Sequence, residues 1–284
     1  MTPATASLSR SRMRRLAAGA VVATVLTVLA VVGAPGTFAH DSRLDRAKPT
    51  VVLVHGAWAD ASGWSGVVER LQDDGYAVAA IPNQLRSLSG DAAYVAAYLD
   101  TIPGPIVLVG HSYGGAVVTN AATGHPNVRA LVYVDAFAPD EGQAVTPLAG
   151  PDSALSVADP TTIFDFVPAT LPPTPTTDVY LKRSFFLTAF ANGLRTSQAR
   201  ILAASQRPIT IQAGNEPSGV PAWRTIPSWY LIGTQDHIIP PAAERAMAEH
   251  AGANITYFNA GHLGLMTDPK SVTRVIERAA KATE

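Results

Sequence analysis

The sequence has no cysteine. Disulfides are therefore excluded, as is lipid attachment through an N-terminal cysteine, and the fold has to rest on its core. It also lacks an excess of either charge: 21 Lys and Arg stand against 22 Asp and Glu, for a formal net charge of −1. Such a balance gives no electrostatic reason to bind nucleic acid. Charged residues make up only 15% of the chain and hydrophobic ones 47%, which argues for a packed domain rather than a disordered one. No internal repeat is visible.

Long uncharged runs are scarce, and one of them lies near the start. Arg10, Arg12, Arg14 and Arg15 precede seventeen uncharged, largely apolar residues, Leu16 to Val32, and the small residues around Thr37-Phe38-Ala39 follow. That layout predicts a secretory signal peptide over residues 1–39, with Arg14-Arg15 pointing to the twin-arginine route. The alternative is an uncleaved membrane anchor, since seventeen residues stand at the lower edge of a spanning length. Cleavage would leave 245 residues, 40–284, and loss of four arginines without any acid would take the net charge from −1 to −5. The mature protein is then expected outside the cytoplasmic membrane and not attached to it; the sequence says nothing of its oligomeric state.

The remainder alternates short apolar runs with helix-like segments. Thr50–Val54, Ala77–Ile81, Ile106–Val109, Ala130–Val134, Trp229–Ile232 and Ile255–Phe258 read as strands, most of them too continuously apolar for a sheet with one wet face. Gly63–Asp74, Asp91–Leu99, Ala116–Thr123, Ala242–Ala251 and Pro269–Ala280 show helical spacing, with Asp268-Pro269 as the cap and first position of the last. The alternation predicts an α/β fold, a doubly wound, mostly parallel sheet flanked by helices. Proline-rich sequence from Pro139 to Pro227 breaks the rhythm. We read residues about 138–225 as a largely helical cap inserted after the fourth strand, with helices expected at Asp178–Ala191 and Thr196–Ser205.

One stretch carries chemistry. Gly110-His111-Ser112-Tyr113-Gly114-Gly115 lies between an apolar strand and a helix. Glycines two before and two after the serine remove Cβ atoms that would clash in so sharp a turn, and the hydroxyl then projects over the carboxyl end of the sheet. Ser112 is the expected nucleophile. A serine needs a base, and His262 in the loop after the last strand can return to it. The orienting acid is Asp236, which follows the fifth strand and gives the order Ser, Asp, His; Asp135, at the end of the strand after the serine, is the rival. The backbone N–H groups of Ala57 and Tyr113 are the candidate oxyanion donors, and His55 is read as structural. Trp58, Phe137, Phe185 and Phe186 are the candidate pocket residues, within a cap whose Phe164, Phe166 and Trp223 add to an apolar roof.

With these residues in place, "VLVHGAWADASGW", "VLVGHSYGGAVV" and "GTQDHIIP" resemble the α/β-hydrolase superfamily over about residues 49–284. Within it they are similar to small bacterial serine esterases related to the plant hydroxynitrile lyase and salicylate-ester esterase branch. The resemblance implies a serine carboxylesterase working without metal or cofactor on a small apolar ester or lactone. The lyases of that branch carry a lysine after the catalytic histidine and a hydroxyl residue after the strand-end histidine. Leu263 and Gly56 stand at those places, which favours hydrolysis over a lyase reaction. The alternative of a different class is a non-hydrolytic, receptor-like protein that uses the same pocket.

Overall fold

The computed structural model describes residues 48–283. The expected export segment, residues 1–39, lies outside them. Six strands form one sheet: β1 (Thr50–Val54), β2 (Val78–Ile81), β3 (Ile106–Ser112), β4 (Val128–Ala136) and, after the insertion, β8 (Ser228–Gly233) and β9 (Asn254–Phe258). Their spatial order is β2-β1-β3-β4-β8-β9, and every neighbouring pair is parallel. All seven residues of β3 are buried, as continuous apolar runs require when both faces are covered.

The covering helices are the expected ones with small shifts at their ends: Ser65–Asp73, Leu88–Leu99, Tyr113–Ala121, Pro241–His250 and Pro269–Ala282. The last buries Val272, Val275, Ile276 and Ala279, the three-and-four spacing of a single apolar stripe. Asp268 caps it by accepting from the Ser271 N–H at 3.1 Å, and Pro269 occupies the first turn, where no N–H is needed. Among the described residues no helix is long and apolar enough to cross a membrane.

The insertion between β4 and β8 is a cap of short helices around a small antiparallel sheet, β5 (Phe164–Val167), β6 (Asp178–Leu181) and β7 (Ile209–Thr210). This corrects the expected helix over Asp178–Ala191. Its first four residues are β6, with Val179 and Leu181 buried by period-two alternation, and the helical turns begin only at Arg183. Thr196–Ser205 is a helix as expected.

Parallel strands all place their carboxyl ends on one edge. Here that edge receives His55 after β1, Ser112 at the end of β3, Asp135 near the end of β4, Asp236 after β8 and His262 after β9. Ligands of open parallel sheets bind along such an edge.

Candidate active site

Ser112 holds φ 53 and ψ −127, a strained conformation for a residue with a side chain. Its surroundings enforce it. A Cβ on Gly110 would lie 2.6 Å from the Gly114 carbonyl oxygen, and one on Gly114 would lie 2.5 Å from the Val54 carbonyl oxygen. The turn between β3 and the helix Tyr113–Ala121 therefore closes only with glycine at both places. The loop after β1 approaches as tightly, because a Cβ on Gly56 would stand 2.5 Å from the Ser112 Cβ.

The three candidate catalytic side chains meet. The Ser112 hydroxyl lies 2.9 Å from Nε2 of His262, and Nδ1 of His262 lies 2.7 Å from Oδ2 of Asp236. All three are buried. The other carboxylate oxygen of Asp236 accepts from the N–H groups of Ile238 (2.7 Å) and Ile239 (3.0 Å), so its plane is fixed from two sides. In this arrangement Asp236 can orient the ring and hold the proton on Nδ1, leaving Nε2 free to accept from the serine. Asp135, the rival, is fully buried and takes the Gly233 N–H at 2.7 Å on one oxygen. It contacts neither ring nitrogen of His262 by a hydrogen bond.

Two further histidines serve the geometry. His55 accepts the Asn83 N–H on Nε2 (2.9 Å), and its Nδ1 donates to the Gly56 carbonyl (2.9 Å). Burial pushes its pKa down to about 4, so the ring stays neutral as that pattern requires. Nε2 of His111 donates to the backbone carbonyl of His262 at 2.8 Å and so pins the loop that carries the base. Burial holds that ring neutral too, well below the usual histidine range. The role of His111 is not visible in the sequence, since a histidine inside the elbow carries no sign of which loop it will meet.

The expected oxyanion donors flank the serine. Tyr113 opens a helix, where an N–H has no intrahelical acceptor, and the Ala57 N–H finds no backbone acceptor among the described residues. The Tyr113 phenol is tied away, donating to Oδ2 of Asp91 at 2.8 Å; burial and the Asp91 charge push its pKa up. Trp58, next to Ala57, has φ 55. Its indole N–H donates to the Val179 carbonyl on β6 at 2.9 Å, and its ring stacks on Phe164 at 6.0 Å.

Ser112 opens into a cavity of about 290 Å³ between sheet edge and cap. Ala57, Trp58, Tyr113, Phe137, Phe164 and Phe166 are among the residues lining it, and among the described residues no charged side chain is. Trp58 and Phe137 stand where expected. Phe185 and Phe186 do not line this cavity: Phe186 is buried against Phe190, ring centroids 4.8 Å apart, and the aromatic wall comes from β5 instead. The alternation Phe164-Asp165-Phe166 is the signal that would have found it, two rings on one face of a strand.

Comparison with known proteins agrees with this fold. The model described as "Alpha/beta hydrolase family" matches residues 51–275. The carbendazim hydrolyzing esterase of Nocardioides sp. (strain SG-4G) is 34% identical over 110 residues, 34% of this chain and 46% of that protein. The alpha/beta hydrolase nvfD of Aspergillus novofumigatus (strain IBT 16806) is 24% identical over 82% of this chain and 97% of its own. Among solved structures, polyneuridine aldehyde esterase superposes with a TM-score of 0.68 at 19% identity, covering 81% of this chain and 98% of that one. An extracellular alpha/beta-hydrolase from a Paenibacillus species gives 0.68 at 23% identity, covering 82% and 99%.

Proposed function

The chain belongs to the alpha/beta hydrolase family, and from that premise we propose that it is a secreted serine carboxylesterase acting on a small apolar ester or lactone. The observation that carries the reading is the unbroken chain from the Ser112 hydroxyl through His262 to Asp236, at 2.9 and 2.7 Å. Nε2 of His262 takes the serine proton as Oγ bonds to the acyl carbon. The carbonyl oxygen gains a negative charge, which the N–H groups of Ala57 and Tyr113 receive; donors of this kind are each worth about 3–4 kcal/mol in the transition state. The acyl carbon–oxygen bond to the alcohol then breaks, and the imidazolium returns the proton to the departing oxygen. Water, deprotonated in turn by His262, attacks the acyl-serine; the bond between the acyl carbon and Oγ breaks, the imidazolium returns the proton to Oγ, and the acid leaves.

The cavity supports the substrate class. An uncharged, largely apolar lining favours a neutral ester over one carrying a free carboxylate or ammonium, which would lose its hydration there without a partner. Export rests on the arginine-bearing start and the apolar run before Ala39, and N-terminal sequencing of secreted protein checks it: the mature chain should begin near His40. The mechanism is tested with a chromogenic short-chain ester. A burst of alcohol stoichiometric with protein, absent in Ser112→Ala, is expected; binding of the ester without turnover would instead favour a receptor-like protein.

A further inference from the structure

Beside Asp236 lie two carboxyl groups that do not line the cavity and that the hydrolytic steps do not use. Asp135 on β4 and Glu244 on the helix Pro241–His250 are both fully buried. One oxygen from each, with one from Asp236, lie within 4.8 Å of one another, which puts the Glu244 carboxyl directly beside that of Asp236. Neither Asp135 nor Glu244 forms an ion pair among the described residues. Among the described residues both Glu244 oxygens are buried without a hydrogen-bond donor, and the second Asp135 oxygen faces only the Gly264 backbone N–H, without a well-aligned bond. Gly233 and Gly264 close the far side, since a Cβ at either would come within 2.7 Å of an Asp135 oxygen.

Three negative charges cannot share so small and dry a volume with one imidazole and no lysine or arginine beside them. A carboxylate left without a donor is costly, whereas a carboxylic acid needs only an acceptor for its proton, and a neighbouring carboxylate supplies one. Asp236, which already has two backbone donors and the ring of His262, is the member that carries the charge. We propose that Asp135 and Glu244 are held as neutral carboxylic acids, and that Glu244, by donating its proton in a hydrogen bond to Asp236, is a positioning residue for the triad. This rests on Asp236 as the triad's acid. Burial first, then the neighbouring carboxylates, pushes both groups well above the usual carboxyl range, in agreement with the geometry. The other titratable groups facing the cluster are Tyr230, Tyr133 and His262; the Tyr230 hydroxyl is committed to the Ala136 carbonyl and that of Tyr133 to Thr119.

Glu244 thereby backs Asp236 as the Ile238 and Ile239 amides hold it from another direction. Ionising Glu244 would replace a donated hydrogen bond by like-charge repulsion and push Asp236 out of line with His262.

Infrared difference spectroscopy of the wild-type protein tests the protonation without using its activity. At about pH 7 the un-ionised carboxyl band should be present, and it should lose intensity in Glu244→Gln and again in Asp135→Asn. Absence of that band in folded wild-type protein, or a stoichiometric divalent cation bound by the purified protein, overturns the proposal. Kinetics test the positioning role. Glu244→Leu should lower kcat about tenfold with KM little changed, and Glu244→Gln, whose amide still donates, should recover most of it. Equal kcat in wild type and Glu244→Leu, or an equal loss in both variants, removes that role. Should both variants fail to fold, the wild-type spectrum decides alone; should the protein hydrolyse no ester, the same spectrum still stands, which separates this proposal from the functional one.

Discussion

The sheet edge and the cap are built on opposite plans, although they face each other across one cavity. At the edge, each candidate reactive group lies at or just past the carboxyl end of a strand of the parallel sheet, and the turns that meet at Ser112 tolerate no Cβ on Gly56, Gly110 or Gly114. The cap uses strands of two to four residues, short helical turns and one longer helix, Thr196–Ser205, and it reaches the edge through a handful of hydrogen bonds. Those bonds fall on the loops beside Ser112, Asp236 and His262. The Trp58 indole, beside the proposed Ala57 donor, bonds to Val179. Ser153 Oγ donates to the Ile238 carbonyl at 2.6 Å and the Ala154 N–H to that of His237 at 2.8 Å, next to Asp236. Asn192 donates to the Gln235 carbonyl at 2.7 Å and packs against Gly261, beside His262. Sequence alone suggests a division in which the edge reacts and the cap selects. The structure ties the two together, so only cap positions away from these tethers should affect selection alone.

The largest effect should separate two buried aspartates on the same edge. Asp236→Asn should lower kcat by about 10⁴-fold, because an amide cannot enforce the required tautomer of His262, whereas Asp135→Asn should cost far less. Steady-state kinetics with one ester decides between them, and the reverse order would move the triad's acid to β4. Next come the rings of β5. Phe164→Ala or Phe166→Ala should change relative kcat/KM among acyl lengths by roughly ten- to a hundredfold while sparing a small activated ester, if the removed ring contacts substrate. An equal loss across all esters would show that β5 supports the geometry as well.

Trp58→Phe sharpens the same contrast from the tether side. It keeps a ring on Phe164 but removes the indole N–H, so kcat should fall about tenfold for small and large esters alike. A change confined to long acyl chains would make Trp58 a pocket wall only. The smallest effect concerns stability. Glu244 has its folded pKa raised above its ordinary 4.5, so its contribution is fully present below that value and is lost as pH rises toward the folded pKa. Glu244→Gln, which cannot ionise, should therefore melt higher than wild type near pH 8, by about 2–4 °C for each kcal/mol of linkage, with the gap closing toward pH 4.5. A gap independent of pH would show that Glu244 is not protonated in the folded state.

The same contrast explains what could be read from the chain. Ser112, Asp236 and His262 were legible because each stands at a boundary that apolar periodicity marks, and parallel strands must gather those boundaries on one edge. The close approach of the loop after β1 to Ser112 was legible for the same reason. In the cap, Phe185 and Phe186 looked like pocket residues because an aromatic pair in a helical stretch has no visible direction; packing against Phe190 took Phe186 into the interior. The strand Asp178–Leu181 was masked by the helix-like segment that follows it without a break. Glu244 gave no signal either. A glutamate in the first turn of a helix is ordinarily a solvated charge near the helix dipole, and only the placement of Asp135 and Asp236 beside it makes it a buried acid.

The central claim is that Ser112 is the nucleophile, activated by His262 and Asp236. Reaction with a fluorophosphonate followed by peptide mapping tests it most directly. The account predicts a single adduct on Ser112, absent in Ser112→Ala and formed far more slowly in His262→Ala and Asp236→Asn. An adduct on another residue, or labelling of Ser112 at an undiminished rate in His262→Ala, would contradict it.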